Sequence, residues 1–92
     1  MKKIALLDCT LRDGGYYNNW DFPNELIEDY LKAMAAAKIE FVELGFRFFK
    51  KDVFLGPCAY TTPYFLESLN ILKSIKIGVI INALKNFFNR YY

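Results

Sequence analysis

A chain of 92 residues makes one domain or less. Apolar residues form 54% of the sequence and aromatic residues 18%, which excludes a disordered chain and suffices for a small core. The formal net charge is +2 with the basic residues scattered, so nothing indicates a nucleic-acid partner. No apolar run approaches the roughly 20 residues of a membrane helix, and the two cysteines lack the spacing of a metal site or a disulfide framework. We therefore expect a cytoplasmic protein with no nucleic-acid or membrane partner.

The first predicted element is a buried strand over residues 3–8, and polar side chains follow it at once. Polar groups at the end of a buried strand are costly unless they are paired or used. Arg12 beside Asp13 suits an anionic substrate held against a divalent metal, and a structural ion pair is an equally good interpretation. The two glycines at 14–15 predict a sharp turn that allows close approach of a ligand.

A polar, aromatic loop over residues 16–21 comes next. Tyr16 and Tyr17 either line a substrate entrance, with a hydroxyl available for proton transfer, or pack the loop over the end of the sheet. For Trp20 we favour packing. The composition alone leaves the role of the two tyrosines open.

The remaining elements alternate between helix and strand. The helices show apolar residues at helical spacing and start signals at their first residues. The predicted elements in chain order are a strand at 3–8, a helix beginning at Asn24, a strand at 39–44 closed by Gly45, a helix beginning at Thr62 and Pro63, a strand at 76–83, and the start of a third helix at 84–92. This β-α-β-α-β(-α) order predicts an α/β fold with parallel strands and right-handed crossovers.

Polar residues also mark the second and third strands. Glu43 either contacts a ligand or pairs with Arg12 or Arg47, and we favour the pairing. Arg47 either holds a substrate carboxylate through two hydrogen bonds or is an ordinary surface cation. Asn82 either faces the same site or caps the end of its strand.

Three segments carry a family resemblance. Residues 8–14, DCTLRDG, resemble the D-x-T-L-R-D-G signature of the metal-dependent lyase and aldolase superfamily, which includes 4-hydroxy-2-oxovalerate aldolase, hydroxymethylglutaryl-CoA lyase, isopropylmalate synthase and homocitrate synthase. Residues 42–47 resemble its second-strand motif and residues 77–83 its third strand, while residues 7–20 follow the aldolase-like branch throughout. The resemblance implies that residues 1–92 are a partial domain, the N-terminal part of a (β/α)8 TIM barrel, which needs roughly 250 residues.

The resemblance also implies roles for residues of the first motif. Arg12 would contact the substrate oxygen on which enolate charge develops. Asp13 would bind Mg²⁺ or Mn²⁺, and the metal would polarise the 2-oxo group of a small pyruvate-like acid. Asp8 and Thr10 are expected to orient the site rather than to react. The implied reaction makes or breaks a carbon–carbon bond next to that carbonyl, for example in retro-aldol cleavage of a 4-hydroxy-2-oxo acid.

The chain contains no histidine. The family completes its metal site with two histidines on a late strand and often places another after R-D-G for proton transfer. Asp13 would then be a lone carboxylate ligand, which with water holds Mg²⁺ only weakly. We expect the isolated chain to be inactive and the divalent metal to bind only in the complete barrel. The alternative is a non-catalytic α/β module that associates with a partner chain or with itself through an open sheet edge and its aromatic C-terminus.

Overall fold

The computed structural model describes residues 4–50 and 52–81, which fold into a three-stranded parallel sheet with helices packed against it. The strands lie side by side in chain order: β1 (Leu7–Asp8), β2 (Phe41–Arg47) and β3 (Lys76–Ile81). The helices are α1 (Thr10–Gly14), α2 (Asn24–Ala36), α3 (Pro57–Tyr60) and α4 (Pro63–Glu67), and a 3₁₀ turn spans Gly15–Tyr17. Both strand pairs are parallel, so the predicted α/β fold class is confirmed.

The core lies between β2 and the helices. Val42 and Leu44 of β2 are completely buried and join one apolar cluster with Ile27 and Leu31, which are also completely buried on α2. The apolar residues of α2 recur every three or four positions, so they fall on one side of the helix. The helix therefore covers the face of the sheet that carries Val42.

A bulge interrupts β2 at Leu44. Glu43 and Gly45 pair with consecutive residues of β3, which leaves Leu44 as the extra residue. Side chains alternate between the two faces of a strand, and an extra residue shifts that alternation by one. Arg47 therefore lies on the opposite face of the sheet from Glu43, although their spacing of four in an unbroken strand would place them on the same face.

Three predicted strand limits differ from the structure. In the described residues, β1 covers only Leu7–Asp8, shorter than the predicted 3–8. Strand β2 begins at Phe41 rather than at residue 39, and it continues through Gly45 to its end at Arg47 rather than closing there. A Cβ atom on Gly45 would lie 2.0 Å from the backbone carbonyl oxygen of Cys58 in α3. Gly45 thus serves the close approach of α3 to the strand, and it does not terminate the strand.

Both predicted helix starts are correct, since α2 begins at Asn24 and α4 at Pro63, but only α4 has a side-chain cap. The side chain of Thr62 accepts a hydrogen bond from the backbone N–H of Phe65 at 3.0 Å, as expected of an N-cap. In α2 the cap position is occupied by Pro23, and Asn24 is already helical without a side-chain cap bond. Residues 82–92, including the predicted end of β3 and the predicted third helix, lie outside the described residues.

The glycines at 14–15 do not form the predicted sharp turn. Both have right-handed helical backbone angles, with φ of −65° at Gly14 and −61° at Gly15. The polypeptide leaves β1 through α1 and the 3₁₀ turn rather than through a loop. Within the described ranges, no helix is long and apolar enough to cross a membrane.

Candidate active site

Helix α1 carries two predicted site residues to the carboxyl end of β1. The carboxylate of Asp8, the last residue of the strand, accepts a hydrogen bond from the backbone N–H of Thr10 at 2.9 Å and so fixes the first turn. Arg12 and Asp13 follow within this helix. Ligands of parallel α/β sheets bind at the carboxyl ends of the strands, so α1 places both side chains where a ligand would be expected.

Arg12 links two carboxylates. Its Nε donates to Oδ1 of Asp13 at 3.1 Å, and its Nη1 donates to Oε1 of Glu43 on β2. The side chains of Arg12 and Glu43 are only 22% and 19% exposed, which makes this charge-assisted bond stronger than a surface pair. The expected pairing of Glu43 with Arg12 is therefore present.

The guanidinium of Arg12 remains available to a ligand. Burial lowers the pKa of Arg12, but the hydrogen bond to Asp13 and the nearby charge of Glu43 together raise it above its ordinary value. The group is therefore positively charged at any working pH. Its Nη2 bonds to no residue in the described part of the chain, which leaves two N–H donors for an anionic oxygen.

Asp13 is the most exposed member of the cluster. Its side chain is 62% exposed, and its Oδ2 accepts a weak bond from the thiol of Cys9, whose Sγ lies 3.6 Å away. The described residues contain no group of three or more histidine, cysteine, aspartate or glutamate side chains that could hold a metal ion. Asp13 can serve as one metal ligand, but the described residues do not form a metal site by themselves.

The hydroxyl of Tyr30 on α2 donates to Oδ1 of Asp8, a contact that the sequence analysis did not identify. Burial by itself would raise the pKa of Asp8, but the hydrogen bonds from Tyr30 and Thr10 lower it below its usual value. Burial and the same bond raise the pKa of Tyr30. A half-buried tyrosine needs a hydrogen-bond partner for its hydroxyl. The signal available in the sequence was therefore a tyrosine within a helix that packs on the sheet.

Trp20 packs beneath α1, as expected. It is 6% exposed, and its indole Nε1 donates to the backbone carbonyl of Arg12 at 2.8 Å. Tyr16 meets it edge to face, with ring centroids 4.8 Å apart, whereas Tyr17 is 94% exposed. Of the two tyrosines, only Tyr16 therefore lies against the aromatic packing beside the site.

Of the other two predicted site residues, Arg47 is not brought into this cluster. Arg47 lies on the opposite face of β2 from Glu43, where its Nε donates to the backbone carbonyl of Thr61 at 2.9 Å. Asn82 lies outside the described residues. The structure thus brings together Arg12, Asp13 and Glu43, with Asp8 and the backbone of Thr10 supporting them.

The fold and this cluster define a parallel α/β unit with an arginine and two carboxylates at the carboxyl end of its sheet. No family model and no curated protein matches the sequence. A solved structure described as the "N-terminal domain of a putative aldolase from Bacteroides vulgatus" is similar, with a TM-score of 0.74 and 38% sequence identity over 83% of this chain. The match covers 25% of that longer chain, so this chain spans about a quarter of its length. This likeness supports an aldolase-like origin.

Proposed function

We propose that this chain is the N-terminal portion of a divalent-metal-dependent aldolase or lyase. The proposed reaction makes or breaks a carbon–carbon bond beside the carbonyl of a small 2-oxo acid, through a pyruvate-like enolate. The observation that carries the proposal is the half-buried Arg12, held by Glu43 at the carboxyl end of the sheet with Nη2 unoccupied by any described residue. The likeness to an aldolase N-terminal domain supports it.

The role of Arg12 is electrostatic. A guanidinium that is already in place stabilises an oxygen whose negative charge develops during the reaction, and it needs no reorganisation to do so. The carboxylate of Glu43 holds that guanidinium, and the indole of Trp20 holds the Arg12 backbone. The bound 2-oxo acid would place its carbonyl oxygen against Nη2, where enolate charge forms.

Asp13 would be one ligand of the Mg²⁺ or Mn²⁺ ion. Its exposure and its position beside Arg12 suit that role. The described residues offer no complete ligand set, so the remaining ligands would come from outside them, and we assign no reaction step to the metal. We also propose that the isolated chain, which contains no histidine, is inactive.

The test follows exchange of the pyruvate methyl protons with deuterium in the complete polypeptide, because enolate formation releases those protons. We expect Arg12→Lys to lower the exchange rate by about 10²-fold or more, since lysine keeps the charge but loses the planar fork that reaches both Glu43 and the substrate. Asp13→Asn should lower it comparably and raise the metal concentration needed. Asp29→Asn, which removes the same charge from an exposed position on α2, is the matched control.

Two results would overturn the assignment. Full exchange in both site variants would remove Arg12 and Asp13 from the reaction. Metal-dependent exchange by the isolated 92-residue chain would show that no ligand from outside these 92 residues is needed.

A second candidate is a non-catalytic module that pairs with itself or a partner, and a specific observation favours it. On the sheet face opposite α2, Leu7 is 58% exposed and its neighbour Phe41 is 36% exposed. Apolar residues left open on a sheet face mark a surface that another chain or another part of the same chain would cover. The test of this candidate is whether the isolated chain associates with itself as its concentration rises.

A further inference from the structure

A second concave surface lies at the carboxyl end of β2. This groove has a volume of about 510 Å³ and is lined by Arg47, Phe48, Lys50, Tyr60 and Thr62. The bulge at β2 turns Arg47 to the face opposite Glu43. None of the Arg12 cluster residues lines it.

The polar groups of the groove are hydrogen-bond donors. Nε of Arg47 is fixed on the carbonyl of Thr61 at 2.9 Å, which holds the guanidinium plane and leaves both terminal nitrogens unbonded to any described residue. The hydroxyl oxygen of Thr62 already accepts from the backbone N–H of Phe65 at 3.0 Å, so its proton is available to a ligand. Lys50 adds a second positive charge at the rim.

The remaining lining is aromatic. Phe48 and Tyr60 contribute their rings to the wall, and the Tyr60 hydroxyl has no hydrogen-bond partner in the described part of the chain. Among the described residues, no aspartate or glutamate lines the groove. A surface with two cations, two hydroxyl donors and two rings, and without an acidic side chain, is complementary to an anion attached to an apolar body.

We propose that this groove binds a small carboxylate carried on a flat apolar group. The two terminal nitrogens of Arg47, which bond to no described residue, match the two oxygens of a planar carboxylate, and such bidentate pairs add geometric specificity. The aromatic rings of Phe48 and Tyr60 would cover the apolar body of the ligand. This site stands independently of the aldolase proposal, because it uses none of the residues placed in that reaction.

The experiment titrates the full 92-residue chain with benzoate and follows backbone amide signals by ¹H–¹⁵N NMR. We expect saturable shifts at residues 47–50 and 60–62, with smaller shifts at residues 9–13. Benzamide, which keeps the ring but lacks the charge, should bind at least about tenfold more weakly, because hydrogen bonds to charged groups are the stronger ones. Inorganic phosphate should also bind more weakly, since it has no apolar body to bury.

Single substitutions distinguish binding in the groove from nonspecific attraction to the positive charge of the chain. Arg47→Gln should weaken benzoate binding about tenfold, and Lys50→Gln about twofold to fivefold. Because Arg47 also bonds to Thr61, its variant could perturb the fold, whereas Lys50→Gln and Tyr60→Phe remove only groups without a described bonding partner. The control, Lys32→Gln, makes the same charge change on the exposed side of α2.

The proposal is overturned by any of three results. Equal affinity for benzoate and benzamide would show that the charge is not recognised. Equal affinity for benzoate and phosphate would reduce the groove to a patch of positive charge. Equal weakening by Lys50→Gln and Lys32→Gln would attribute binding to net charge rather than to the groove.

Discussion

A single hydroxyl joins helix α2 to the end of β1. Tyr30 donates to the same Asp8 oxygen that accepts the backbone N–H of Thr10 at the start of α1. The carboxylate therefore connects three elements, and any change in its charge acts on all of them. Because Arg12 is carried by α1, the orientation of the candidate site depends on this contact.

The pH dependence of stability follows from the direction of the Asp8 shift. Its pKa in the folded chain lies below its ordinary value of 3.8 because Tyr30 and Thr10 bond to the ionised form and outweigh burial. The ionised carboxylate therefore stabilises the fold above the unfolded-state pKa, and that stability is lost as the pH falls through the lower folded-state pKa. Tyr30→Phe should cost roughly 1 kcal/mol at pH 7 and reduce the loss in acid.

Urea unfolding at pH 7 and in acid measures the stability, and carboxyl ¹³C NMR measures the Asp8 pKa directly. In Tyr30→Phe the pKa of Asp8 should rise toward its ordinary value. Tyr64→Phe is the matched control, because Tyr64 is 84% exposed and its hydroxyl bonds to no residue in the described ranges. An unchanged Asp8 titration in Tyr30→Phe would contradict the role given to this hydroxyl.

At the scale of elements, α1 and the 3₁₀ turn are held in place by one indole ring. Trp20 reaches the Arg12 carbonyl only because Gly15 has no side chain, since a Cβ atom there would lie 1.8 Å from Cδ1 of the ring. A Cβ atom on Gly14 would meet nothing within 4 Å. Of these two adjacent glycines in the same helical conformation, Gly15 must therefore lack a side chain, whereas Gly14 has room for one.

The pair of variants Gly15→Ala and Gly14→Ala tests this arrangement. Gly15→Ala must displace Trp20, and we expect it to lower the free energy of unfolding by about 1 to 3 kcal/mol. Gly14→Ala should leave stability unchanged or raise it by up to about 1 kcal/mol, since alanine favours helix. Trp20 is the only tryptophan, so its fluorescence reports displacement. Equal stability of the two variants would contradict the close packing at Gly15.

The pattern of apolar residues was enough to predict most of this architecture. Periodicity identified α2 and the two longer strands, and Thr62 marked the start of α4 by a local hydrogen bond that the sequence specifies. Gly45 was misjudged because a glycine that ends a strand and one that admits a neighbouring backbone look alike in sequence. Only the packed position of Cys58 distinguishes them.

The parts of the candidate site that could be predicted are formed by residues adjacent in sequence or at the ends of neighbouring strands. Arg12 and Asp13 are adjacent in sequence, and the partner of Arg12, Glu43, follows from parallel strands whose ends meet at one edge. Arg47 was considered for the same site as a residue that follows a strand closed by Gly45. The structure instead continues β2 to Arg47 through a bulge at Leu44, which turns Arg47 to the other face, and nothing in the sequence predicts that bulge.

At the scale of the whole molecule, one face of the sheet lacks a cover in the described residues. Leu7, Phe41 and Ile80 are 58%, 36% and 36% exposed on strands whose other face is packed by α2. Among the described strands, β1 and β3 each have a neighbour on one side only. Open strand edges beside an exposed apolar face favour association.

We therefore expect the isolated chain to self-associate through this face, with a sedimentation coefficient that rises with concentration. Leu7→Glu should weaken the association at least about tenfold, because it places a charge where apolar surface would be buried. Leu26→Glu is the matched control, since Leu26 is 46% exposed on α2 rather than on the sheet. In the complete polypeptide, the aldolase proposal predicts that the remaining chain covers the same face, so Leu7→Glu should there lower the free energy of unfolding instead. A chain that stays monomeric at all concentrations would contradict the open interface, and a Leu7→Glu effect no larger than that of Leu26→Glu would place the contact elsewhere.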